Sequence, residues 1–303
     1  MKIAVTGATG FVGRYILKHL IAEGHSLRCW HRPTSNRDGI VNADNKNAAI
    51  EWVEGGLGDA GSSQTLVAGC DAVVHSALWR PGVGFRGAEG DLIEFVQVNL
   101  LGSLQLIESA KAAGVSRFIQ ISTCAVHERI LDDRALDEAH PLWPLSHYGA
   151  HKASLEKFVH SYGLGEGYNI CALRPTGVYG VATPVENSKW YSLVQSVVRG
   201  EEVDCRKGGK EVHAADVAKA VGVLLTTDGI AGQAFNCYDR YVSEFEVATI
   251  ARDICGSDAK IHGEPRQPKH QIETTKIRDR GMSFGGVDLL RETVAELVQS
   301  VNG

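Results

Sequence analysis

Short apolar runs alternate with longer helical patterns along most of the chain, and this order constrains the fold more than any other feature. The first runs are Ile3–Thr6, Leu27–Trp30, Ile50–Val53 and Ala72–His75. Apolar residues at helical spacing lie between most of them, which is typical of a parallel sheet covered by helices on both faces. The sequence therefore predicts an α/β fold built on a doubly wound parallel sheet.

The strand series continues through Arg117–Ser122 and Asn169–Leu173, and the alternation becomes less regular after Pro175. A chain of 303 residues is long enough for one large domain or two modest ones. We therefore expect a first domain built on this sheet and a smaller C-terminal region. The expected division is 1–180 together with 212–237 for the first domain, and 181–211 with 238–303 for the second region.

Composition excludes several classes of protein. The hydrophobic fraction is 44% and the charged fraction 22%, which is unlike a disordered or fibrous chain. Acids and bases are interleaved around a net charge of -5, so neither nucleic acid nor a membrane surface is expected as a partner. No apolar run approaches the roughly 18 residues of a transmembrane helix, and no signal peptide is expected. Seven scattered cysteines predict a reducing, cytoplasmic setting.

A glycine-rich turn follows the first strand and opens the first helix, with the sequence Gly7-Ala8-Thr9-Gly10-Phe11-Val12-Gly13. Gly7 permits a tight turn, Gly10 allows the backbone to approach a pyrophosphate, and Gly13 allows close packing of helix on strand. The helix N-terminus offers unpaired N–H groups to phosphates. The turn predicts dinucleotide binding, and an ordinary strand–turn–helix corner is the alternative. The expected contacts are Gly7, Thr9, Gly10, Phe11, Val12 and Gly13.

The end of the second strand bears on which dinucleotide binds. The sequence there is Trp30-His31-Arg32-Pro33, without the acid that would bind an adenosine ribose. Arg32 is suited to a 2′-phosphate, and Arg37 is a second candidate. We therefore expect NADP(H) rather than NAD(H), with an ordinary solvated arginine as the alternative.

A tyrosine and a lysine lie four residues apart at Tyr148 and Lys152, on one face of a predicted helix. An ammonium near a phenol favours the phenolate and lowers a pKa that is otherwise near ~10. Upstream, Ser122 and Thr123 place hydroxyls at the C-terminal end of a strand, where ligands bind in open α/β sheets. The three groups together predict proton transfer to or from a bound substrate.

These residues resemble the extended short-chain dehydrogenase/reductase family, which includes nucleotide-sugar epimerases, dehydratases and related reductases. The resemblance implies a Rossmann-type sheet with a smaller C-terminal substrate-binding region, and it covers about the first 180 residues. The matching segments are Thr6–Gly13, Gly58–Asp59, His75–Ala77, Val98–Leu100, Ser122–Thr123, Tyr148–Lys152 and Leu173–Pro175.

The resemblance implies a role for each matching residue. Tyr148 would be the general acid/base, and Lys152 would hold the nicotinamide ribose and lower the tyrosine pKa. Thr123 would hydrogen-bond the reacting oxygen, with its neighbour Ser122 as the less favoured candidate. The remaining cofactor contacts would be Asp59 at the adenine, Ser76, Ala77, Asn99, Pro175 and Val178.

Departures from the family pattern concern the substrate. Gly177 stands where nucleotide-sugar enzymes commonly have asparagine, and Gly208–His213 lacks their usual basic residue before an aromatic one, although Lys207 or Lys210 could substitute. Cys124-Ala125 replaces the Asp-Glu of the dehydratases, so sugar 4,6-dehydration is not expected. The candidate substrate contacts are Trp79, Arg80, Cys124 and Gly177, with ordinary loop residues as the alternative for the first two.

Three functions remain open at this point. The first is an oxidoreductase that transfers hydride to or from a carbonyl or alcohol, sugar-derived substrates included. The second is an epimerase that regenerates its cofactor in each cycle, and the third is a non-catalytic dinucleotide sensor. No metal is expected, because His147 and His151 have no third ligand at a fixed spacing. The family implies a homodimer through helices at Asp91–Ala113 and Ser146–Tyr162.

Overall fold

The computed structural model describes residues 1–40, 50–82 and 87–302 of the chain. They form two compact units, and each unit combines segments that are distant in sequence. Among the described residues, no helix has the length and apolar character needed to cross a bilayer. The first unit is Met1–Pro175, Val217–Cys237 and Ile272–Met282, and the second is Thr176–Asp216, Tyr238–Gln271 and Ser283–Gly303.

The first unit alternates strands with helices through Pro175. Its elements up to that residue are β1 (Lys2–Thr6), α1 (Phe11–Ala22), β2 (Ser26–His31), β3 (Ile50–Glu54), α2 (Ala60–Val67), β4 (Ala72–His75), α3 (Leu92–Val96), α4 (Gly102–Ala112), β5 (Arg117–Ile121), α5 (His147–His160) and β6 (Ile170–Pro175). A π-helical turn, Gln97–Leu101, joins α3 to α4, and a second one, Ser161–Gly165, follows α5.

The rest of the chain contains the second unit and two returns to the first. Its elements are β7 (Gly177–Tyr179), α6 (Tyr191–Val198), β8 (Val203–Cys205), β9 (Gly208–His213), α7 (Ala214–Thr226), β10 (Gln233–Cys237), β11 (Arg240–Ser243), α8 (Glu244–Cys255), β12 (Ile261–Gly263), α9 (Thr275–Arg278) and α10 (Gly286–Asn302). The strands β7, β8, β9, β11 and β12 and the helix α9 were not predicted from the sequence.

The first unit contains a seven-stranded parallel sheet in the order β10-β6-β5-β4-β1-β2-β3. The order reverses between β1 and β4, which is the point where ligands bind in doubly wound sheets. Strands such as β4 and β6 are buried along their whole length, as expected when helices cover both faces of a sheet. The predicted Rossmann-type fold is confirmed.

Helix α1 shows how local sequence produces this packing. Its buried residues Ile16, Leu17, Leu20 and Ile21 recur at helical spacing, so one face of the helix lies in the core. The chain then turns at Gly24, whose φ of +78° lies in the left-handed region that favours glycine. The helix thus leads directly from the glycine-rich turn into β2.

The segment Ile272–Met282 belongs to the first unit, although we expected all of 238–303 in the second region. Polar backbone contacts explain this placement. Ile272 forms a parallel bridge with Leu136, and the side chain of Asn236 donates to the carbonyl of Glu273 at 3.1 Å. Such contacts leave no apolar period in the sequence. The boundaries also lie at Pro175 and Val217, a few residues from the expected positions.

The second unit is built on two small sheets and three helices. One sheet has the order β11-β9-β7, with β11 antiparallel and β7 parallel to β9, and the other pairs β12 with β8. Helices α6, α8 and α10 supply most of an apolar core that includes Val194, Val247, Leu290 and Leu297. This core is separate from that of the first unit, so each unit buries its own apolar surface.

Candidate functional site

The glycine-rich turn has no room for side chains at two of its glycines. Gly7 has a φ of +69°, and a Cβ there would lie 2.7 Å from the Ser76 hydroxyl and 2.8 Å from the backbone nitrogen of Ala77. A Cβ on Gly13 would lie 2.0 Å from the carbonyl oxygen of Gly7. The turn and α1 are therefore packed as closely as a bare backbone permits, as predicted from the glycine spacing.

The first turn of α1 leaves its backbone donors without a side-chain cap. Gly10 precedes the helix and is exposed, and it offers no side chain to the N–H groups that follow. Thr9, Phe11 and Val12 are half-buried around it. Uncapped donors at a helix N-terminus attract anions, so this cradle fits a dinucleotide pyrophosphate.

The end of β1 is joined to the end of β4 by a buried threonine. The hydroxyl oxygen of Thr6 accepts hydrogen bonds from the backbone N–H groups of Ser76 and Ala77, both at 3.1 Å, and the Ser76 hydroxyl donates to the Thr6 carbonyl at 2.7 Å. Because both lone pairs of the Thr6 hydroxyl are then used, its proton points at Nδ1 of His75, 2.6 Å away. Ser76 and Ala77 are thereby fixed beside Gly7.

The buried imidazole of His75 extends this chain. Its Nε2 lies 2.8 Å from the Ser103 hydroxyl, which in turn donates to the carbonyl of Asn99. Burial, with the Lys152 ammonium as a second cause, lowers the pKa of His75 to about 3, so the ring is neutral. The neutral ring accepts from Thr6 at one nitrogen and donates to Ser103 at the other.

Asn99 lies in the π-helical turn between α3 and α4, where the sequence predicted one continuous helix. Its side-chain amide donates to the carbonyl of Trp79 at 2.9 Å, and its side-chain oxygen accepts from the Trp79 N–H at 2.7 Å. The predicted cofactor residue Asn99 therefore holds the backbone at the start of the loop after β4. This constraint explains why a wider helical turn interrupts the helix here.

The N-terminus of α5 packs closely against the turn after β5, a 3-10 segment at Cys124–His127. A Cβ on Gly149 would lie 2.7 Å from the carbonyl oxygen of Ala125, so only glycine allows this approach. Ser146 caps α5 by accepting from the Gly149 N–H, and the Glu128 carboxylate accepts from the Ser146 N–H at 2.8 Å. The residue before Gly149 is Tyr148, whose own N–H donates to the buried Glu89 at 3.1 Å.

Lys152 lies one turn further along α5, and its side chain is buried. Its Nζ donates to the carbonyl of Ile121, the last residue of β5, at 2.9 Å. Thr123 is two residues beyond Ile121 and is also buried, with its hydroxyl accepting from the N–H of Ala125 at 3.1 Å. Burial lowers the pKa of Lys152 to about 8, and the nearby Glu156 carboxylate opposes that shift.

A buried ion pair supports this region from behind. Glu156 is 0% exposed, and Nε of Arg174 lies 3.0 Å from both of its carboxylate oxygens. The Ser122 hydroxyl also donates to Glu156. A second nitrogen of Arg174 lies 3.1 Å from His127. Because α5, the end of β5 and the end of β6 meet at this pair, it holds together the elements that carry Thr123 and Lys152. Ser122, the less favoured hydroxyl, faces this pair.

Two candidate substrate residues of the first unit, Arg80 and Cys124, differ in the groups that surround their side chains. Partial burial lowers the pKa of Arg80, and the nearby Tyr148 phenol opposes that shift, so the guanidinium lies close to the tyrosine. Cys124 donates its S–H to the Arg174 carbonyl at 3.0 Å, and burial raises its pKa to about 12. An unreactive thiol agrees with the expectation that Cys124 only lines the site.

The loop after β2 carries the two arginines considered for coenzyme selection. Arg32 and Arg37 are both exposed, and the Arg37 guanidinium lies over the Trp52 ring at 5.5 Å. Arg14 of α1 holds the loop by donating to the carbonyls of Asn36 and Asp38, at 2.8 and 2.6 Å. An open pocket is lined by residues 33–38, Ile40 and Trp52, and Arg32 is not among its lining residues.

Asp59, expected at the adenine, is exposed and begins α2. Its side chain accepts from the N–H groups of Gly61 and Ser62, at 3.0 and 3.2 Å, and these bonds lower the pKa of its carboxyl.

Gly177 and Val178 belong to the second unit, whereas Pro175 ends the first. His147 is exposed and His151 packs its ring on Phe95, and the described residues contain no group of three potential metal ligands.

Several residues that shape this site were not predicted from the sequence. Thr6 and His75 link the first and fourth strands, and Glu156 and Arg174 form the buried pair. The one available signal was spacing, since Glu156 lies four residues after Lys152 and thus on the same helix face. Arg14 gave no comparable signal, because a lone arginine on an amphipathic helix is ordinarily solvated.

The curated relatives of this chain include reductases and dehydratases. 4-hydroxy-2-methyl-3-oxo-4-farnesyl-3,4-dihydroquinoline-1-oxide ketoreductase of Stigmatella aurantiaca is 29% identical, with 88% of this chain and 77% of that protein covered. dTDP-glucose 4,6-dehydratase of Streptomyces niveus is 27% identical, with 92% of this chain and 86% of that protein covered.

Solved structures show the same fold at lower identity. UDP-glucose 4-epimerase of Thermus thermophilus, in complex with NAD, is 21% identical with a TM-score of 0.77, and the match covers 100% of this chain and 99% of that one. UDP-N-acetylglucosamine 4-epimerase of Methanobrevibacter ruminantium is also 21% identical, with a TM-score of 0.80 and coverage of 98% and 97%.

Family membership follows from a match across most of the sequence. Residues 3–237 match the family described as NAD dependent epimerase/dehydratase family. The matched range contains the glycine-rich turn, the tyrosine–lysine pair and the end of β10. The chain belongs to the NAD dependent epimerase/dehydratase family and is an enzyme of the extended short-chain dehydrogenase/reductase type.

Proposed function

We propose that this enzyme transfers hydride between a nicotinamide coenzyme and a carbonyl or alcohol substrate, with Tyr148 as the general acid/base. The observation that carries the proposal is the placement of Lys152. Its buried Nζ reaches the carbonyl at the end of β5, one helical turn after Tyr148 and next to the buried Thr123. A phenol, an ammonium and a hydroxyl therefore come from two elements that meet at the carboxyl end of the sheet.

Each side chain has a defined task in this proposal. In the reductive direction the Tyr148 phenol gives its proton to the substrate oxygen, while the Thr123 hydroxyl donates a hydrogen bond to the same atom. Lys152 binds the ribose hydroxyls and favours the phenolate that remains on Tyr148. The coenzyme, when bound, supplies or accepts the hydride.

Contacts to the coenzyme fit the residues present. The bare backbone at Gly7 and Gly10 and the uncapped start of α1 suit the pyrophosphate. Ser76 and Ala77 are held beside Gly7 and would line the nicotinamide half, and Asp59 would lie at the adenine. The remaining proposed contacts are Thr9, Phe11, Val12, Gly13, Asn99, Pro175 and Val178.

We further propose that the enzyme prefers NADP(H). Arg37 lies at the pocket after β2 and stacks on Trp52, and Arg14 fixes the loop that carries it. A guanidinium held in this way suits a 2′-phosphate, and the exposed Arg32 is close in sequence. The test is kcat/KM with NADPH and NADH for the wild type and the Arg32→Ala and Arg37→Ala variants. A preference for NADH that neither substitution changes would refute this proposal.

Replacement of the phenol tests the assignment of Tyr148. Tyr148→Phe should lower kcat by roughly two to four orders of magnitude, because a positioned acid/base contributes about that much. The matched control is Tyr191→Phe, a half-buried tyrosine of the second unit. Near-normal turnover of the Tyr148→Phe variant would contradict the assignment.

Net consumption of coenzyme separates a reductase from the alternative, an epimerase, which consumes none.

The proposed assembly is a homodimer formed through the two long helical regions of the first unit. Large apolar side chains at Ile93, Leu101, Phe158 and Leu164 are exposed on them. Leu164→Glu should shift the sedimentation coefficient to that of a monomer, and Ile254→Glu on α8 serves as the control. A monomeric wild type would refute the dimer.

The proposed location is the reducing cytoplasm, since all seven cysteines are free.

A further inference from the structure

The loop between β4 and α3 places a buried glutamate beside the candidate general acid/base. Glu89 is 6% exposed, and the hydrogen bond that the structure gives its carboxylate comes from the backbone N–H of Tyr148 at 3.1 Å. A glutamate is seldom buried unless it has a partner. The contact with Tyr148 therefore accounts for a buried acid at this point of the loop.

Close contacts within the loop fix where Glu89 lies. Gly90 follows it with a φ of +68°, and a Cβ on Gly90 would lie 2.6 Å from Cγ of Pro81. Ala88 precedes it and is buried, and a Cβ on Gly82 would lie 3.2 Å from the Cβ of Ala88. The two described arms of the loop are thus packed against each other on both sides of Glu89.

Both ends of this loop are anchored. Near its start, the N–H and the carbonyl of Trp79 are bound by the side chain of Asn99. At its end, Asp91 caps α3 by accepting from the N–H of Glu94 at 2.8 Å. Because Glu89 lies only two residues before this cap, its backbone is tied to the start of α3. The carboxylate is therefore presented to α5 by a braced segment.

The N–H that Glu89 accepts has no acceptor within its own helix. Tyr148 is the second residue of α5, and the first four N–H groups of a helix lack intrahelical partners. The side chain of Ser146 accepts from the next one, that of Gly149, at 3.1 Å. Glu89 and Ser146 thus cap successive donors, and a negative charge at a helix N-terminus is favourable in itself. Without Glu89, the turn that carries Tyr148 loses one of its two caps.

This capped turn determines where the phenol of Tyr148 lies relative to Lys152. The second turn of α5 is fixed, because Nζ of Lys152 donates to the Ile121 carbonyl at 2.9 Å. Ser146 and Glu89 fix the first turn. A phenol four residues before an ammonium stays near it only while both turns remain helical. Fraying of the first turn would displace the phenol, and displacement of a catalytic group by about 1 Å can cost about 100-fold in rate.

We propose that Glu89 is a positioning residue for Tyr148. Its carboxylate acts on the backbone of the tyrosine and not on the substrate, and it keeps the phenol within reach of the Lys152 ammonium. The loop between β4 and α3 thereby supports the reaction, because a change in its conformation reaches the acid/base through one hydrogen bond. This inference rests on the proposed function of Tyr148 and adds a residue from outside the helix.

Amide hydrogen exchange, followed by NMR on the full chain with and without NADP⁺, provides the first test. The Tyr148 amide should be protected in the wild type. Glu89→Met removes the acceptor but keeps a side chain of similar length, so exchange at Tyr148 should become about tenfold faster or more. Glu89→Gln keeps an oxygen acceptor and should retain the protection.

Controls separate this local effect from a general loss of structure. Glu94→Met makes the same change at an exposed position of α3 and should leave exchange at Tyr148 unchanged. Amides in the later turns of α5 should stay protected in every variant, which shows that the helix is folded. Glu89→Ala also lacks the acceptor, and it replaces Glu89→Met should that variant fail to fold.

Titration of the Tyr148 phenol, followed with ¹³C-labelled tyrosine, tests the consequence for the acid/base. Tyr148→Phe identifies the signal. Glu89→Gln and Glu89→Met both remove the negative charge, so a difference between them reports the hydrogen bond alone. Because the Lys152 ammonium favours the phenolate, the pKa of Tyr148 should be lower in Glu89→Gln than in Glu89→Met, by about one unit. A role in stability alone would not separate the two variants in this way.

Two results would overturn the inference. One is equal exchange at the Tyr148 amide in the wild type and in Glu89→Met. The other is the same pKa of the Tyr148 phenol in Glu89→Gln and Glu89→Met. Failure of the proposed function is recognised separately. It would appear as normal turnover by the Tyr148→Phe variant, in which Glu89 is unchanged.

Discussion

Each of the two units buries a glutamate, and the two carboxylates are held in opposite ways. In the first unit, Glu156 receives three donors from Arg174 and Ser122, so both of its oxygens are used. In the second unit, Glu211 binds Lys189 through one oxygen only, and the other has no partner in the described structure. Burial is nearly equal at 0% and 3%, so the difference lies in hydrogen bonding.

This difference separates a fully hydrogen-bonded buried charge from a partly hydrogen-bonded one. A buried ion pair that is fully hydrogen-bonded fixes the elements around it, and a ligand has no donor or acceptor there to use. A buried carboxylate with an unused oxygen gains stability only when another donor arrives. We infer that Glu156 fixes the elements around it, whereas Glu211 keeps one acceptor oxygen that the described structure does not use.

The largest expected effect is at Glu156. Glu156→Gln leaves Arg174 buried without its counter-charge, and loss of one partner of a buried pair costs about 3–5 kcal/mol. Urea unfolding should show this loss of stability. The comparison would fail if Glu156→Gln were no more destabilising than Glu166→Gln, which breaks the exposed contact to Lys111 and should cost at most about 1 kcal/mol.

A double substitution sharpens the same comparison. If the cost of Glu156→Gln comes from the uncompensated guanidinium, Arg174→Met in the same chain should recover a large part of the stability. The two changes should then be strongly non-additive in a double-mutant cycle. Additive losses would instead indicate that packing, and not charge, is what Glu156 and Arg174 contribute.

The next effect concerns the buried cation of the first unit. Because the pKa of Lys152 is lowered to about 8, its ammonium deprotonates as the pH rises through that value. The ribose contact and the stabilisation of the tyrosine phenolate are then lost, so kcat/KM for reduction should fall about tenfold per pH unit above about 8. A profile that stays flat to pH 10 would contradict the role of Lys152.

The same profile links Lys152 to the buried pair. The Glu156 carboxylate raises the pKa of Lys152, opposing the effect of burial. Glu156→Gln removes this support, so the fall in kcat/KM should begin at a lower pH than in the wild type. Glu166→Gln is again the control. An unchanged profile would show that Glu156 acts on stability alone.

Most of the first unit could be predicted from the sequence because its signals are local. Strands such as Ala72–His75 are continuous apolar runs between turn residues, and the predicted bounds agree with the structure. The glycine spacing likewise predicted the turn at Gly7 and Gly13. Long-range polar contacts gave no such signal, which is why the chain from Thr6 through His75 to Ser103 was missed.

The second unit was predicted poorly for a physical reason. Its strands β7, β9 and β11 have three to six residues, too few for a clear alternation of polar and apolar positions. In β9 the first of the three buried residues is a glutamate preceded by lysine, a pattern that resembles a solvated loop. The helices α8 and α10 were predicted because their apolar period is long enough to detect.

The smallest expected effect is the pH dependence of stability at Glu211. Burial raises the pKa of this carboxyl above its ordinary 4.5, against the opposing effect of Lys189, so the folded protein holds the proton more tightly than the unfolded chain does. The resulting stability is complete below the ordinary pKa and is lost as the pH rises through the raised value. Glu211→Gln has no proton to lose. Its stability relative to the wild type should therefore increase with pH from about 4.5 upward, as measured by urea unfolding at several pH values. Parallel stability curves for the two proteins would mean that Glu211 is as well satisfied as Glu156, and the distinction between the two carboxylates would not hold.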